Sequence, residues 1–119
     1  MSAPSSGGIP FKLISAATTN ATSVKAAPGQ VLTLTVGNIN AAVRYIKLYN
    51  LATAPTVGTT VPVFTMPIPA ASFSPISINF GPDGMYFSAG IALALTTGMA
   101  DADTGAVALA EQAVNLTYL

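Results

Sequence analysis

The 119-residue sequence has no histidine, no cysteine and no tryptophan, and it holds only four acidic and four basic side chains. The side chains that most often act as general bases, nucleophiles and metal ligands are therefore scarce. The lack of cysteine excludes a disulfide framework. Four cations neutralise few phosphates, so we expect no nucleic-acid partner. We predict a non-enzymatic protein without cofactor or metal.

Apolar residues make up 51% of the chain, and the mean hydropathy is +0.61. Such a chain makes a poor isolated solute, which favours a part of an assembly. The longest apolar stretch, around residues 89–95, contains Gly90 and falls short of the ~20 residues of a membrane helix. The N-terminus lacks the cationic start and apolar run of a signal peptide. We expect no membrane partner and synthesis without export.

The few charges are segregated along the chain. All four bases precede residue 48 and all four acids follow residue 82, namely Lys12, Lys25, Arg44 and Lys47 against Asp83, Asp101, Asp103 and Glu111. Two interpretations remain open. The halves of one domain pair with each other, or the basic side of one subunit meets the acidic side of a neighbour.

Hydrophobic residues alternate with a period of two through most of the chain, which indicates strands with one buried face. The segments are residues 31–36, 44–50, 75–80, 91–95 and 113–119. In residues 44–50, Ile46 and Leu48 share one face, and Tyr45, Lys47 and Tyr49 share the other.

Proline and glycine mark the connections between these segments. Pro28-Gly29 predicts a type II turn, and residues 82–84 predict a tight hairpin turn. Pro67-Ile68-Pro69 predicts extended backbone that cannot lie in the centre of a sheet. The Thr/Pro-rich residues 52–62 predict a long loop, and residues 106–112 allow one or two helical turns within another loop.

About eight or nine strands in one domain predict an all-β fold, a two-sheet antiparallel β-sandwich of jelly-roll or immunoglobulin-like kind. A small closed barrel is the alternative. We place the domain at residues 11–119, after a flexible Ser/Gly/Pro-rich arm at residues 1–10.

Three sets of charged residues are candidate sites. Asp101 and Asp103 resemble the start of a calcium loop. The later positions, which would need an oxygen ligand, a glycine and a glutamate, hold Gly105, Ala106 and Gln112 instead. We therefore predict a solvated loop. Asp83 lies in a turn and has no second acid nearby in sequence for an aspartyl pair. Lys25 and Lys47 have no activating neighbour in sequence and are expected at solvated strand ends.

The polar face of residues 44–50 and the N-terminal arm are the candidate contact surfaces. Tyrosine beside a cation is an amphipathic surface suited to a partner, although a partly covered outer sheet face explains it equally well. An arm without apolar period can order against a neighbour. The predicted interface residues are Ser2, Pro4, Ile9, Pro10, Arg44, Tyr45, Lys47 and Tyr49.

Four stretches, residues 19–25, 38–58, 87–103 and 114–118, resemble a group of small tailed-bacteriophage proteins. The similarity runs from about residue 17 to the end of the chain. It implies a role in virion structure, as a head decoration (cement) protein or as a neck, tail or fibre part, and it supplies no catalytic residues.

The resemblance and the composition lead to the same expectation. We expect a non-enzymatic virion protein, made in the host cytoplasm, that bridges and stabilises major capsid subunits and forms a homo-oligomer, a dimer or trimer. The alternative is a neck, tail or fibre component whose loop at residues 53–60 contacts a host receptor.

Overall fold

The computed structural model describes residues 8–71 and 75–119. Within these residues there are nine strands and no helix, and hence no helix long and apolar enough to cross a membrane. The strands are β1 (Ile9–Ile14), β2 (Thr22–Lys25), β3 (Gly29–Asn38), β4 (Arg44–Asn50), β5 (Phe64–Ile68), β6 (Ile76–Asn79), β7 (Met85–Phe87), β8 (Ile91–Thr96) and β9 (Gln112–Tyr118).

The strands form two antiparallel sheets that pack face to face. Sheet A has the order β1-β9-β3-β6, with β7 also paired to β3, and sheet B has the order β2-β8-β4-β5. The predicted all-β sandwich is therefore confirmed, and the two separate sheets differ from the closed barrel that was the alternative.

The strand order is that of a jelly roll. β6 and β7 pair with successive parts of β3, so they act as one interrupted strand. The pairs β1·β9, β2·β8, β3·β6/β7 and β4·β5 are then those of one long hairpin that is rolled up, which brings β9 beside β3 and β8 beside β4. In an immunoglobulin-like sandwich, different strands would be neighbours within each sheet.

Inward-facing side chains of both sheets form one apolar core. Leu34, Leu48 and Leu95 are fully buried within it, and every residue of β8 is buried. Phe64 of sheet B meets Phe80, which follows β6, edge to face, with ring centroids 5.7 Å apart. This aromatic pair closes the sandwich where the two sheets have their β5 and β6 edges.

The N-terminal boundary differs from the expected one. Ile9 and Pro10, expected in the flexible arm, are the first residues of β1 and pair with Tyr118 and Thr117. Proline is tolerated there because β1 is an edge strand. Ser2 and Pro4 lie outside the described residues.

Local predictions at the turns were partly wrong. Gly29 has no positive φ and begins β3, so it does not serve a type II turn. The turn at residues 81–84 interrupts a strand instead of closing a hairpin, with Gly84 at φ +71° against the Val31 carbonyl.

Residues 106–112 form no helix. Pro67 lies in β5 at the edge of sheet B, as predicted.

Candidate functional site

A cleft of about 340 Å³ opens between the ends of the two sheets, and we call it the mouth. Its walls come from the ends of β1, β3, β5 and β9 and from the loops that follow β3, β5 and β8. Apolar side chains dominate it, and three polar residues converge in it. The lining residues are Ile14, Gly37, Asn38, Ile39, Ile68, Pro69, Ala71, Pro75, Ala110, Glu111, Gln112 and Ala113.

Glu111 is the centre of a buried polar network beside the mouth. Its Oε2 accepts hydrogen bonds from Arg44 Nε at 3.1 Å, from the Ala108 amide at 3.2 Å and from Gln112 Nε2 at 2.6 Å. Asn40 Nδ2 donates to Oε1. A carboxylate that is 5% exposed is tolerated because donors and one cation surround it.

These donors also decide how Glu111 titrates. Burial alone raises its pKa, but the hydrogen bonds from Gln112, Ala108 and Arg44, together with the charge of Arg44, outweigh burial. The net effect holds the pKa of Glu111 below its ordinary value. The carboxylate is therefore charged at neutral pH and fixed in place, so it is a structural anchor of the mouth.

Ser15 ties the start of the β1–β2 connection to the same network. Its hydroxyl donates to the Ala108 carbonyl at 2.8 Å and accepts from the amides of Glu111 and Gln112, both at 3.0 Å. The Ala110 amide donates to the Ser15 carbonyl, and Ala110 adopts φ +54°, which a non-glycine residue keeps only under restraint. The mouth thus has a rigid rim on this side.

The amide of Gln112 leaves one hydrogen-bonding group open. Gln112 lies opposite Asn38 across β9 and β3, and its Nε2 donates to Asn38 Oδ1 at 2.9 Å. Gln112 is 1% exposed, and its Oε1 has no partner. Gln112 therefore leaves one buried acceptor without a partner beside the mouth.

A second concentration of buried polar groups lies on the outer face of sheet B, which we call the covered face. Lys47 and Tyr49 are fully buried there, opposite Ala94 and Ala92 of β8. Lys47 Nζ donates to the Ala100 carbonyl at 2.6 Å, and Tyr49 Oη has no partner. Burial raises the pKa of Tyr49, and the nearby charge of Asp101 raises it further.

Two loops of the chain itself form this cover. Leu51 and Val57, before β5, pack against the cluster that Tyr49 forms with two alanines of β8, and Ala100, after β8, meets Lys47. The loops touch where Gly58, at φ +91°, lies against Thr104. The expectation of a solvated end for Lys47 was wrong because the loop after β8 folds back over the middle of the strand.

The outer face of sheet A, the open face, has a different character. Rows of side chains cross the strands, such as Lys12, Asn115, Thr35 and Ser77 in one row. The hydroxyls of Thr33 and Thr117 lie 2.7 Å apart, and those of Thr35 and Ser77 lie 2.9 Å apart. The members of the face are Pro10, Lys12, Thr33, Thr35, Ser77, Asn79, Asn115 and Thr117.

Those predicted interface residues that lie within the described ranges do not form one surface. Ile9 is half exposed at the edge of sheet A, together with exposed Pro10. Arg44 is bonded to Glu111, and Tyr45 is partly buried. Lys47 and Tyr49 present no side-chain surface while the loops lie over them. An outward role for Ile9, Pro10, Arg44 and Tyr45 stays a prediction.

The other acidic candidates lie in turns and loops. Asp103 Oδ1 accepts the amides of Gly98, at 3.2 Å, and Gly105, at 2.8 Å, and so closes its own loop. Across residues 8–71 and 75–119 no three His, Cys, Asp or Glu side chains group as metal ligands. Asp83 is exposed in its turn. Of the segregated charges, Arg44 and Glu111 pair within the chain.

Comparison with known proteins adds no relative. No family model, no curated protein and no solved structure matches this chain.

Sequence reasoning missed most of the polar residues that line the mouth. Ser15, Asn38 and Gln112 were not recognised, and Glu111 was only counted as an acid. A signal was present, because Asn38 continues the inward positions of Leu34 and Val36. Gln112 similarly precedes the inward Val114 and Leu116. Two amides at inward positions of strands are a mark of a polar cluster at the end of a core.

Proposed function

We propose that this chain is a non-enzymatic structural subunit of a tailed-bacteriophage virion, a decoration (cement) protein that bridges and stabilises major capsid subunits. The resemblance of residues 19–25, 38–58, 87–103 and 114–118 to small tailed-phage proteins supplies the virion context. Copies would be made in the host cytoplasm and would reside in the particle.

The observation that carries the proposal is a surface with almost no charge. Arg44, Lys47 and Glu111 are withdrawn into the interior or paired there. The remaining charged side chains are Lys12, Lys25, Asp83, Asp101 and Asp103. A free-standing domain usually keeps about a quarter or more of its surface charged. A surface this neutral favours permanent contact with neighbouring subunits.

Exposed apolar side chains support the same role. Ile39, Leu109 and Val61 are 76%, 74% and 67% exposed. Exposed apolar side chains of this size are suited to contacts with other proteins. The jelly roll is an architecture that viral capsid domains and lectins share, and it agrees with the proposal without deciding it.

The mechanism would be additive burial. Each copy would contact two or more capsid subunits through small, neutral patches, and the sum over many copies would oppose outward pressure from packaged DNA. The sandwich suits this task because its core is continuous and the hydroxyl of Ser15 holds one rim of the mouth in place.

Electron cryo-microscopy of virions from the phage that encodes this chain tests the proposal. We expect density for the nine-stranded sandwich at symmetric positions on the head surface. Particles that lack the chain should release DNA at a lower temperature and should recover after purified chain is added back. Density confined to the neck or tail would replace the decoration role with the alternative one. Absence of the chain from wild-type virions would overturn both roles.

A further inference from the structure

We propose that Asp83 is a site of spontaneous main-chain isomerisation, in which the Gly84 nitrogen attacks the Asp83 carboxyl group and an isoaspartyl linkage results. The modification needs no enzyme and no partner. It goes beyond the proposed function and does not depend on it.

The turn that contains Asp83 lies between two strands and belongs to neither ladder. β6 ends at Asn79 and β7 begins at Met85, and both pair with β3. Asn79 Oδ1 fixes one end of the turn, because it accepts the Gly81 amide at 2.9 Å. Asp83 itself is exposed. We therefore expect the turn to change its conformation while the strands on either side stay paired.

The carboxyl group of Asp83 is free to react. Within residues 8–71 and 75–119, hydrogen bonds hold the carboxylates of Asp103 and Glu111. In the same ranges the Asp83 carboxylate forms neither a hydrogen bond nor an ion pair. Nothing described therefore holds it away from the main chain that follows.

Gly84 supplies a nitrogen that no side chain of its own shields. A Cβ at this residue would lie 2.5 Å from the Val31 carbonyl oxygen, and φ is +71°, so the turn requires glycine here. The Gly84 amide donates to the Gly81 carbonyl at 3.2 Å, which is the long end of the usual range. A weak hydrogen bond costs little to break before the nitrogen attacks.

The reaction needs only the chain and water. The Gly84 nitrogen forms a bond to Asp83 Cγ, and the amide proton leaves with the carboxyl OH as water, which gives a succinimide ring. Water then opens the ring at one of its two carbonyls. Cleavage of the new bond to Cγ restores aspartate, whereas cleavage of the original main-chain bond leaves the chain running through Cβ and Cγ. The isoaspartyl product has an unchanged mass and one more methylene in its backbone.

The other two aspartates of the chain provide matched comparisons. Asp101 is exposed like Asp83, but it precedes Ala102, whose Cβ hinders attack by the nitrogen. Asp103 precedes the β-branched Thr104, and its Oδ1 already accepts two main-chain amides. Of the three aspartates, Asp83 alone combines a free carboxyl group with an unhindered nitrogen.

Asparagine at the same position makes ring closure measurable, because it cyclises faster than aspartate and gains one mass unit when the ring opens to an acid. The variants Asp83→Asn and Asp101→Asn are incubated at neutral pH, folded and in urea, and are followed by peptide mass spectrometry. Both positions are exposed, so the circular dichroism spectrum should be unchanged. Folded Asp83→Asn should deamidate within about threefold of its rate in urea, since an exposed turn opens at little cost. Asp101→Asn, the control, should deamidate much more slowly in both states.

The wild-type chain is tested after prolonged incubation, with isoaspartyl methyltransferase and a labelled methyl donor. This enzyme methylates isoaspartyl carboxylates, so label should increase with age and map to Asp83. The variant Asp83→Glu should take up no label at this position, because glutamate would have to close a larger and less favourable ring.

Folded Asp83→Asn that deamidates more than about tenfold slower than the same chain in urea would overturn the proposal, because the turn would then keep the two groups apart. An aged wild-type chain without label, or with label mainly at Asp101 or Asp103, would overturn it as well. These measurements use the purified chain, so they decide this proposal separately from the virion role.

Discussion

The outer faces of the two sheets carry different side chains, and within the described residues loops of the chain cover the outer face of sheet B but not that of sheet A. The open face of sheet A presents hydroxyls that bond one another across the strands, as Thr33 and Thr117 do. The covered face of sheet B carries Lys47 and Tyr49 beside alanines, and two loops close over it. Short polar side chains form hydrogen bonds with one another at a surface. Long side chains beside alanines leave gaps, and here two loops pack into them.

The polar groups that the two loops cover lack some of their hydrogen-bond partners. Lys47 has three N–H donors and one acceptor, and Tyr49 Oη has none. Glu111 shows what a fully partnered buried charge looks like in the same molecule, with four donors around it. The comparison therefore separates three states of a polar group: self-satisfied at a surface, fully partnered inside, and partly partnered under loops.

The largest effect should come from the fully partnered charge. Glu111→Gln removes the partner of Arg44 and should lower the free energy of unfolding by about 2–3 kcal/mol at pH 7. Because the folded-state pKa of Glu111 is lowered, its stabilisation is complete at neutral pH and is lost as the pH falls below about 4.3.

Urea unfolding between pH 7 and pH 3, as a series, measures this loss, and the variant should show a flatter profile than the wild type. Asp101→Asn, at an exposed carboxylate, is the control and should keep the wild-type profile. An equally steep acid loss in the Glu111→Gln variant would contradict the assignment.

Opening the cover should have an effect of similar size. A Cβ at Gly58 would lie 2.6 Å from Thr104 Cγ2, whereas a Cβ at Gly81 would meet nothing within 4 Å. Both glycines have similar positive φ values, +91° and +94°. Gly58→Ala should therefore cost about 2–3 kcal/mol and Gly81→Ala about 1 kcal/mol.

Acetylation of lysines, followed by mass spectrometry, reports the cover directly. In the wild type Lys12 and Lys25 should react while Lys47 stays protected, and Lys47 should become reactive in the Gly58→Ala variant alone. Equal protection of Lys47 in both glycine variants would show that the contact between Gly58 and Thr104 does not hold the loops down.

The partly partnered charge should give a smaller effect of opposite sign. Lys47→Met keeps the length of the side chain and removes an ammonium group with one acceptor. We expect the free energy of unfolding to rise by about 1–2 kcal/mol. Denaturant unfolding measures it, with Lys12→Met on the open face as the control that should change little. A clear loss of stability would mean that Lys47 anchors the loop more strongly than its burial costs.

The smallest effect should appear on the open face. Replacing Thr33 and Thr117 together by valine removes both members of a hydroxyl pair and keeps their shape. The free energy of unfolding should stay within about 0.5 kcal/mol of the wild type. Thermal unfolding by circular dichroism suffices, and a larger loss would show that this face is more than a surface awaiting a neighbour.

Strands with strict alternation were predictable from the sequence. Ile46 and Leu48 point inward and Tyr45, Lys47 and Tyr49 point outward, because the period of a strand assigns faces without knowledge of the fold. Pro67 similarly fixed an edge position. The strand order, by contrast, depends on pairings between distant segments such as β1 and β9, and both sandwich families share the local pattern.

The site residues were harder to predict for a related reason. Lys47 looks like a surface residue within its own strand, and only the return of residues 97–104 over sheet B buries it. The mouth is assembled from the ends of four strands, so no segment of the sequence contains it. Its one local sign was the inward parity of Asn38 and Gln112.

The position of β9 has a consequence for how the molecule comes into existence. This strand is made last among the nine, yet it stands between β1 and β3 in the interior of sheet A. During synthesis β1 therefore has no partner until residues 112–118 have left the ribosome, and early pairing is confined to neighbours such as β4 and β5. At about 5–20 residues per second, β1 waits several seconds with an unpaired apolar edge, a window in which a chaperone or a sister chain can reach it first.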